Sequence, residues 1–441
     1  MSNYFNGYQA ALRGQVEAAA HLVGVADPRF AEGKVVKDGD LLSETLGLSL
    51  AGKRAMAVLR DIDTSLAVTL THTGVGAGCV LVMCQDLLRP FIDAGEVAHL
   101  AHLLTLVPSS VYECKTYVKI AFNLSEKYDT PVLVYLTEGL LGATTSLELV
   151  EPKTLEDKPY QKNIEKYVTL PSSVRLCAED RVYRDKRLEE DCNGFPLHNM
   201  VLRDTTRGVI AFGEVANEIA VVAPHLSLLR LATVFPIPMD LVRTFAGKVD
   251  ELVVVEEGDP VVETRLNGAG VKCHGHDLFP LAKHYLPDEI KERLLGVSVP
   301  GEETGLPLRT PMFAADHPLL DLFIALKGKG LPVHCDVSLA MLAAEAPLAT
   351  VDTAFVPNPV AFANGFATKT PCVSLSRAEE IDGLLSALEG CNHLAILWGD
   401  VRRAAKLLDA LGIKYTLTDH KGFGDLKVEQ GIVLVDTGDI K

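Results

Sequence analysis

Short, wholly apolar runs alternate with amphipathic segments along most of this chain, and that alternation constrains its fold more than any other feature. Ala55–Leu59, Cys79–Met83 and Pro131–Leu136 are bounded by turn residues and carry almost no polar side chain. Such runs are strands covered on both faces, as in parallel sheets flanked by helices. Between them, residues 8–23, 41–51, 66–73 and 111–127 space their apolar residues as helices do, and Gly52 supplies a natural helix stop. Residues 25–40 read as loop. The pattern returns with strands at Gly208–Phe212, Leu228–Leu231 and Glu251–Glu256. Their helices run to about Val222, over Asp240–Phe245 and from Pro260 to Leu266. A third stretch gives strand Leu394–Leu397, helix Val401–Leu411, and strands Lys414–Thr418 and Ile432–Val435. The expected class is α/β, with three layered domains and mainly parallel sheets, over residues 1–150, 195–300 and 301–441. The charge-dense segment 151–194 reads as a linker with a helix at about 179–191, and 301–306 as a flexible joint.

The 441 residues carry a net charge of −16, which argues against general nucleic-acid binding. Nine scattered cysteines include no C-x-x-C, as expected of a reduced, intracellular chain without an iron–sulfur cluster or structural zinc. The first residues show no basic-then-apolar leader, and no apolar run reaches the ~18 residues of a membrane helix, so the cytoplasm is the expected location.

Several motifs together carry a family resemblance. Residues 307–327 read P-L-R-T-P-M-F-A-A-D-H-P-L-L-D-L-F-I-A-L-K, against a family pattern R-P-P-x-L-C-P-G-C-P-H-R-x-x-F-x-A-L-K. N-L-S-E-K-Y-D-T-P-V at 123–132, R-G-V-I-A-F-G at 207–213, F-P-I-P at 235–238, V-V-V-E-E-G-D-P at 253–260 and G-H-D-L-F-P-L at 275–281 match further segments. Over about residues 7–365 the chain resembles the large (alpha) subunit of indolepyruvate ferredoxin oxidoreductases. These belong to the thiamine diphosphate-dependent 2-oxoacid:ferredoxin oxidoreductases. The resemblance implies a pyrimidine-binding domain over 1–150, a transketolase C-terminal-like middle domain over 195–300 and a shortened diphosphate-binding domain over 301–441. Large subunits of that family usually end in a cysteine-rich ferredoxin-like domain, and no such cysteine run occurs in this sequence.

Thiamine diphosphate needs a carboxylate at its aminopyrimidine, a divalent metal held by acidic and amide oxygens, and donors facing the phosphates. The family's spacing from G-L-S-L-A-G at 47–52 places Asp38 at the carboxylate position. Glu44 is an alternative a turn or more away. Asp38 and Asp40 also read as solvated loop acids capping the helix from Leu41. The family's glycine loop corresponds to Thr73, Gly74, Val75 and Gly76, which read either as a cofactor-lining loop or as a tight turn before a strand. In the third domain the family's two cysteines become Ala314 and His317, and its His-Arg pair becomes Leu319 and Leu320. His317 is a candidate replacement donor or a helix-start residue. Pro357 and Pro359 replace a glycine turn, and proline offers no amide hydrogen. Asp400 falls on the metal-binding aspartate, or caps the helix after it.

These departures together favour a diverged, non-catalytic subunit acting in an assembly. The alternatives are an active thiamine diphosphate and Mg²⁺ enzyme, oxidatively decarboxylating a 2-oxoacid and passing electrons to a partner's iron–sulfur centre, and a frame repurposed to bind another small ligand. The resemblance implies as partners a smaller oxidoreductase-type subunit, a second copy of the chain and a ferredoxin-type protein.

Overall fold

The computed structural model describes residues 4–27, 29–30, 37–71, 73–85, 94–152, 154–168, 174–279, 285–296, 312–354, 358–419 and 430–437. The chain divides into two compact units, residues 1–301 and 302–441. The first unit holds a six-stranded sheet in the order Thr233–Phe235, Leu104–Leu106, Val132–Leu136, Cys79–Cys84, Ala55–Leu59, His21–Val25. All its neighbours run parallel except the edge pair Thr233–Phe235 with Leu104–Leu106. The three central strands are buried throughout, as their apolar sequences require.

A four-stranded sheet in the same unit is ordered Glu251–Val255, Asp204–Phe212, Leu226–Leu231, Asn199–Val201, with only the last strand antiparallel. The edge strand Thr233–Phe235 follows directly from this layer, so the two sheets of the unit are stitched by one short strand. The second unit is a wholly parallel five-stranded sheet, ordered Val333–Cys335, Val373–Arg377, Leu394–Gly399, Gly431–Asp436, Tyr415–Asp419. Thus the expected class is the observed one. Among the described residues no helix is long and apolar enough to cross a membrane.

Two expectations are corrected. The helix expected over 8–23 ends at Glu17, and His21–Val25 is a strand. Ala19 takes a left-handed conformation with φ of 53°, which turns the chain between them. The helix expected at 179–191 runs over Val174–Cys192. The charge-dense segment also makes specific contacts with the first sheet's layer. The Lys158 amide donates to Gly52 O at 2.9 Å, the Lys158 ammonium lies 3.1 Å from Glu126, and the Tyr128 hydroxyl lies 2.7 Å from Asp191. The stretch 301–306 lies outside the described residues.

The helix Gly7–Glu17 is fixed to the helix Val111–Tyr128 by a buried charge cluster. Glu17 accepts from Lys119 at 2.7 Å and from the Val150 amide at 3.0 Å, with Lys115 at 3.4 Å. These donors outweigh burial and hold its carboxyl below the usual range.

Three histidines are held neutral by burial, His198 and His393 down to about 4 and His99 to about 3. A histidine with a lowered folded value contributes stability above its unfolded value of 6.5, which is lost as pH falls toward the folded value. Urea unfolding is therefore expected to lose stability between pH 6.5 and about 4, on the order of 3 kcal/mol from His393 alone. His393→Asn is expected to flatten that part of the profile, and an unchanged slope would contradict the assignment.

Candidate functional site

Ligands of parallel α/β sheets sit at the carboxyl ends of the strands. At that edge of the six-stranded sheet, Asp38 opens the helix Asp38–Leu50. Its Oδ1 accepts from the Arg60 amide at 2.6 Å and the Asp61 amide at 3.4 Å, just past the end of Ala55–Leu59. Burial raises its carboxyl above the ordinary range, although the two amide bonds act in the opposite direction. Asp38 therefore ties its helix to the neighbouring strand end. The helix N-cap is Lys37, so the capping alternative for Asp38 is corrected. Glu44 is solvent-exposed on the same helix.

A second group at this edge escaped sequence reasoning. Asp27 is 1% exposed and accepts from the Arg29 amide at 3.0 Å and its Nη2 at 2.8 Å. Arg29 Nη1 reaches Gln85 O at 2.9 Å and Glu138 Oε2 at 3.0 Å, and Nη2 reaches Cys84 O at 3.2 Å. One guanidinium thus joins the ends of three strands, with a carboxylate on either side of it. The signal was the pair Asp27 and Arg29 just after a strand, hidden because that strand was read as helix.

The loop Thr73–Gly76 lies at the opposite edge, before Cys79–Cys84. Cys79 pairs with Ala55, the first residue of its strand, whereas Asp38 is held beyond the last. Five residues at ~3.3 Å separate the two places by on the order of 15 Å. The structure does not bring this loop and Asp38 together, which corrects the expectation that Thr73, Gly74, Val75 and Gly76 line one site with it. The loop's polar groups are also engaged. The Val75 amide donates to Asp129 at 2.8 Å, the Ala77 amide to Ser49 O at 2.8 Å and the Gly78 amide to Glu126 at 3.1 Å. Thr73 Oγ1 donates to Thr69 O at 2.6 Å. A Cβ at Gly76 would stand 2.6 Å from Ser49 O, and one at Gly74 2.4 Å from the Lys166 side chain. Close packing against the protein explains these glycines.

In the second unit, Asp400 follows Leu394–Gly399 at the carboxyl edge. Its Oδ1 accepts from the Arg402 Nε at 2.8 Å and amide at 3.1 Å, and Oδ2 accepts from Arg402 Nη2. The Arg402 guanidinium holds the Asp400 carboxyl down to about 2. Asp436 and Asp419 end the next two strands and are register partners. His317 Nδ1 accepts from the Leu319 amide at 3.2 Å and its ring packs on Phe313, so it serves the start of helix Leu320–Lys329. Burial lowers its pKa. Leu319 belongs to the core of this unit and Leu320 packs against it. Asp336 and Asn358 cap helices, accepting from Leu339 at 3.1 Å and Ala361 at 2.9 Å. Pro359 occupies the first helical turn, where no amide hydrogen is needed.

No protein-family model matches the chain. It is 27% identical over 354 residues to the indolepyruvate oxidoreductase subunit IorA of Pyrococcus horikoshii, covering 70% of this chain and 54% of that protein. Against the IorA of Archaeoglobus fulgidus it is 26% identical over 298 residues, covering 62% of this chain and 47% of that one. This chain is a diverged relative of the IorA subunits. It spans about half the length of the curated relatives it matches. A 2-oxoglutarate:ferredoxin oxidoreductase from Magnetococcus marinus, solved with 2-oxoglutarate, coenzyme A and succinyl-CoA, shares the fold. Its TM-score is 0.51 at 14% identity, over 66% of this chain and 64% of that one.

The family implies thiamine diphosphate and a divalent metal, and the residues here fit them poorly. A metal at Asp400 would have to displace Arg402. At the family's phosphate-facing positions, Leu319 is a core residue and Leu320 packs against that core. Arg402→Ala is expected to return the Asp400 carboxyl from about 2 toward 3.8, read by carboxyl-carbon NMR titration. A value that stays near 2 would remove Arg402 as the cause.

Proposed function

We propose that this relative of the IorA subunits is a non-catalytic member of a protein assembly, with the family's frame kept for association. The observation that carries this reading is that its candidate cofactor contacts already have partners within the chain. Asp38 holds two amides, Asp400 holds Arg402, and the 73–78 loop is fastened to Asp129, Ser49 and Glu126. A ligand must replace each bond it breaks, and a buried polar group left unpaired costs roughly 1–3 kcal/mol.

Association is supported by large apolar side chains exposed along the charge-dense segment. Leu155, Tyr160, Ile164, Leu176, Val182 and Tyr183 all face solvent, Tyr183 at 73% exposure. Large apolar side chains left in water favour a partner that covers them. A smaller oxidoreductase-type subunit or a second copy of this chain is the proposed occupant, and the cytoplasm the proposed location.

A second reading, that the frame binds another small ligand, is favoured by one cavity. About 450 Å³ opens in the first unit beside the carboxyl ends of Leu104–Leu106 and Asp204–Phe212. Tyr112, Leu140, Glu214, Asn217, Val221 and Pro287 are among its walls. Mostly apolar walls with a few polar groups suit a small organic molecule.

Calorimetric titration of the purified chain with thiamine diphosphate and Mg²⁺ tests the first reading, alone and with any protein that co-purifies with it. No binding up to millimolar concentrations is expected. Micromolar binding in either form would overturn the non-catalytic reading and favour 2-oxoacid oxidation.

A further inference from the structure

Among the described residues, one group of metal-ligating side chains comes together away from every position considered above. Glu256 follows the strand Glu251–Val255, Glu263 lies on the helix Val261–Gly268, and His276 lies in the segment C-H-G-H-D at 273–277. One ligand atom from each lies within 4.8 Å of the others. Glu256 is 2% exposed, and the side chains of His276 and Glu263 are 10% and 18% exposed.

The histidine's surroundings carry the inference. Its Nε2 lies 3.2 Å from Gly258 O and its Nδ1 2.8 Å from Glu263 Oε2, and both oxygens only accept, so a neutral ring can donate to just one of them. With the hydrogen on Nε2, the Nδ1 lone pair faces Glu263 Oε2. A lone pair facing a carboxylate oxygen at that distance is repulsive unless a cation lies on the edge between them. That cation is either a proton or a metal ion. A ring N–H given to a backbone carbonyl, with the other nitrogen aimed at acidic ligands, is the arrangement that orients metal-bound histidines.

The carboxylates are oriented in the same way. Glu256 Oε2 accepts from the Val262 amide and Oε1 from the Glu263 amide, both at 2.9 Å. Glu263 Oε2 accepts from the His276 amide at 2.9 Å. Gly275 is required for this approach, because a Cβ there would stand 2.4 Å from Glu263 Oε2. Asp277 fixes the segment by accepting from the Gly275 amide at 2.8 Å and facing His274 Nδ1 at 2.6 Å. Cys273 stands nearby, its Sγ 4.0 Å from Glu263 O.

We propose that Glu256, Glu263 and His276 bind a divalent transition-metal ion of the zinc class, which ties the 273–277 segment to the helix Val261–Gly268. One imidazole nitrogen and two carboxylate oxygens suit Zn²⁺ or Co²⁺, with water completing the shell. Metal–ligand lengths of about 2.0–2.2 Å give tetrahedral edges of ~3.4 Å, so the ligand atoms need to move by less than about 1.5 Å. The site is independent of thiamine diphosphate and of the non-catalytic reading.

The test is a Co²⁺ titration of the full chain after chelator treatment, followed by visible absorption and thermal unfolding. One equivalent is expected to bind at micromolar or tighter affinity, with ligand-field bands and a higher Tm. Glu263→Gln and His276→Gln are each expected to weaken binding at least tenfold. Because such variants can fail to fold, His276 is also probed in the unaltered chain, by diethylpyrocarbonate labelling read by mass spectrometry. Metal-dependent protection of His276 is expected. No bound equivalent, equal affinity in folded variants, or unchanged labelling of His276 with metal bound would overturn the proposal and leave a protonated imidazole on that edge.

Discussion

Strand direction is the constraint on which the first unit depends. Ala55–Leu59, Cys79–Cys84 and Val132–Leu136 run parallel and in register, so their carboxyl ends share one edge and their amino ends the other. Asp38, Asp27, Arg29 and Glu138 collect at the first edge, and the 73–78 loop at the second. No rearrangement of side chains joins the two, because a strand's length of buried backbone lies between them.

Each edge is closed by charge pairing within the protein. At the carboxyl edge, Asp27 and Glu138 face one guanidinium, and Asp38 holds two backbone amides. At the amino edge, Glu126 accepts from the Arg54 Nε at 2.9 Å and the Gly78 amide, and Lys166 bridges Asp129 at 2.7 Å to Val75 O at 2.8 Å. In the second unit Asp400 and Arg402 repeat the pattern at two residues' separation. Polar groups satisfied in this way hold the frame rigid, and they leave a diphosphate or a divalent metal only bonds that must first be broken.

The fold was legible because its strands are apolar on both faces. Runs such as C-V-L-V-M and V-L-V-Y-L admit few other readings in a chain of this length. His21–Val25 was missed because His21 and Gly24 interrupt its apolar run and because alanines continue the helical pattern up to it. The left-handed turn at Ala19, which separates the two elements, leaves no mark in the sequence. The site was legible only in part. Family spacing found Asp38 and Asp400, yet the partners that occupy them, Arg60 and Asp61 amides in one case and Arg402 in the other, follow from three-dimensional placement. Glycines at 74 and 76 suggested approach by a ligand, whereas what approaches them is the protein's own Lys166 and Ser49. The Glu256, Glu263 and His276 group draws on three segments and carries no spacing motif.

The central claim is that the family's cofactor positions are closed by partners within the chain. Hydrogen–deuterium exchange of peptides covering 37–62, 73–85 and 394–410 measures it most directly, with and without saturating thiamine diphosphate and Mg²⁺. The account predicts unchanged protection in all three. New protection in 37–62 or in 394–410 would show the cofactor engaging one of these positions, and would contradict it.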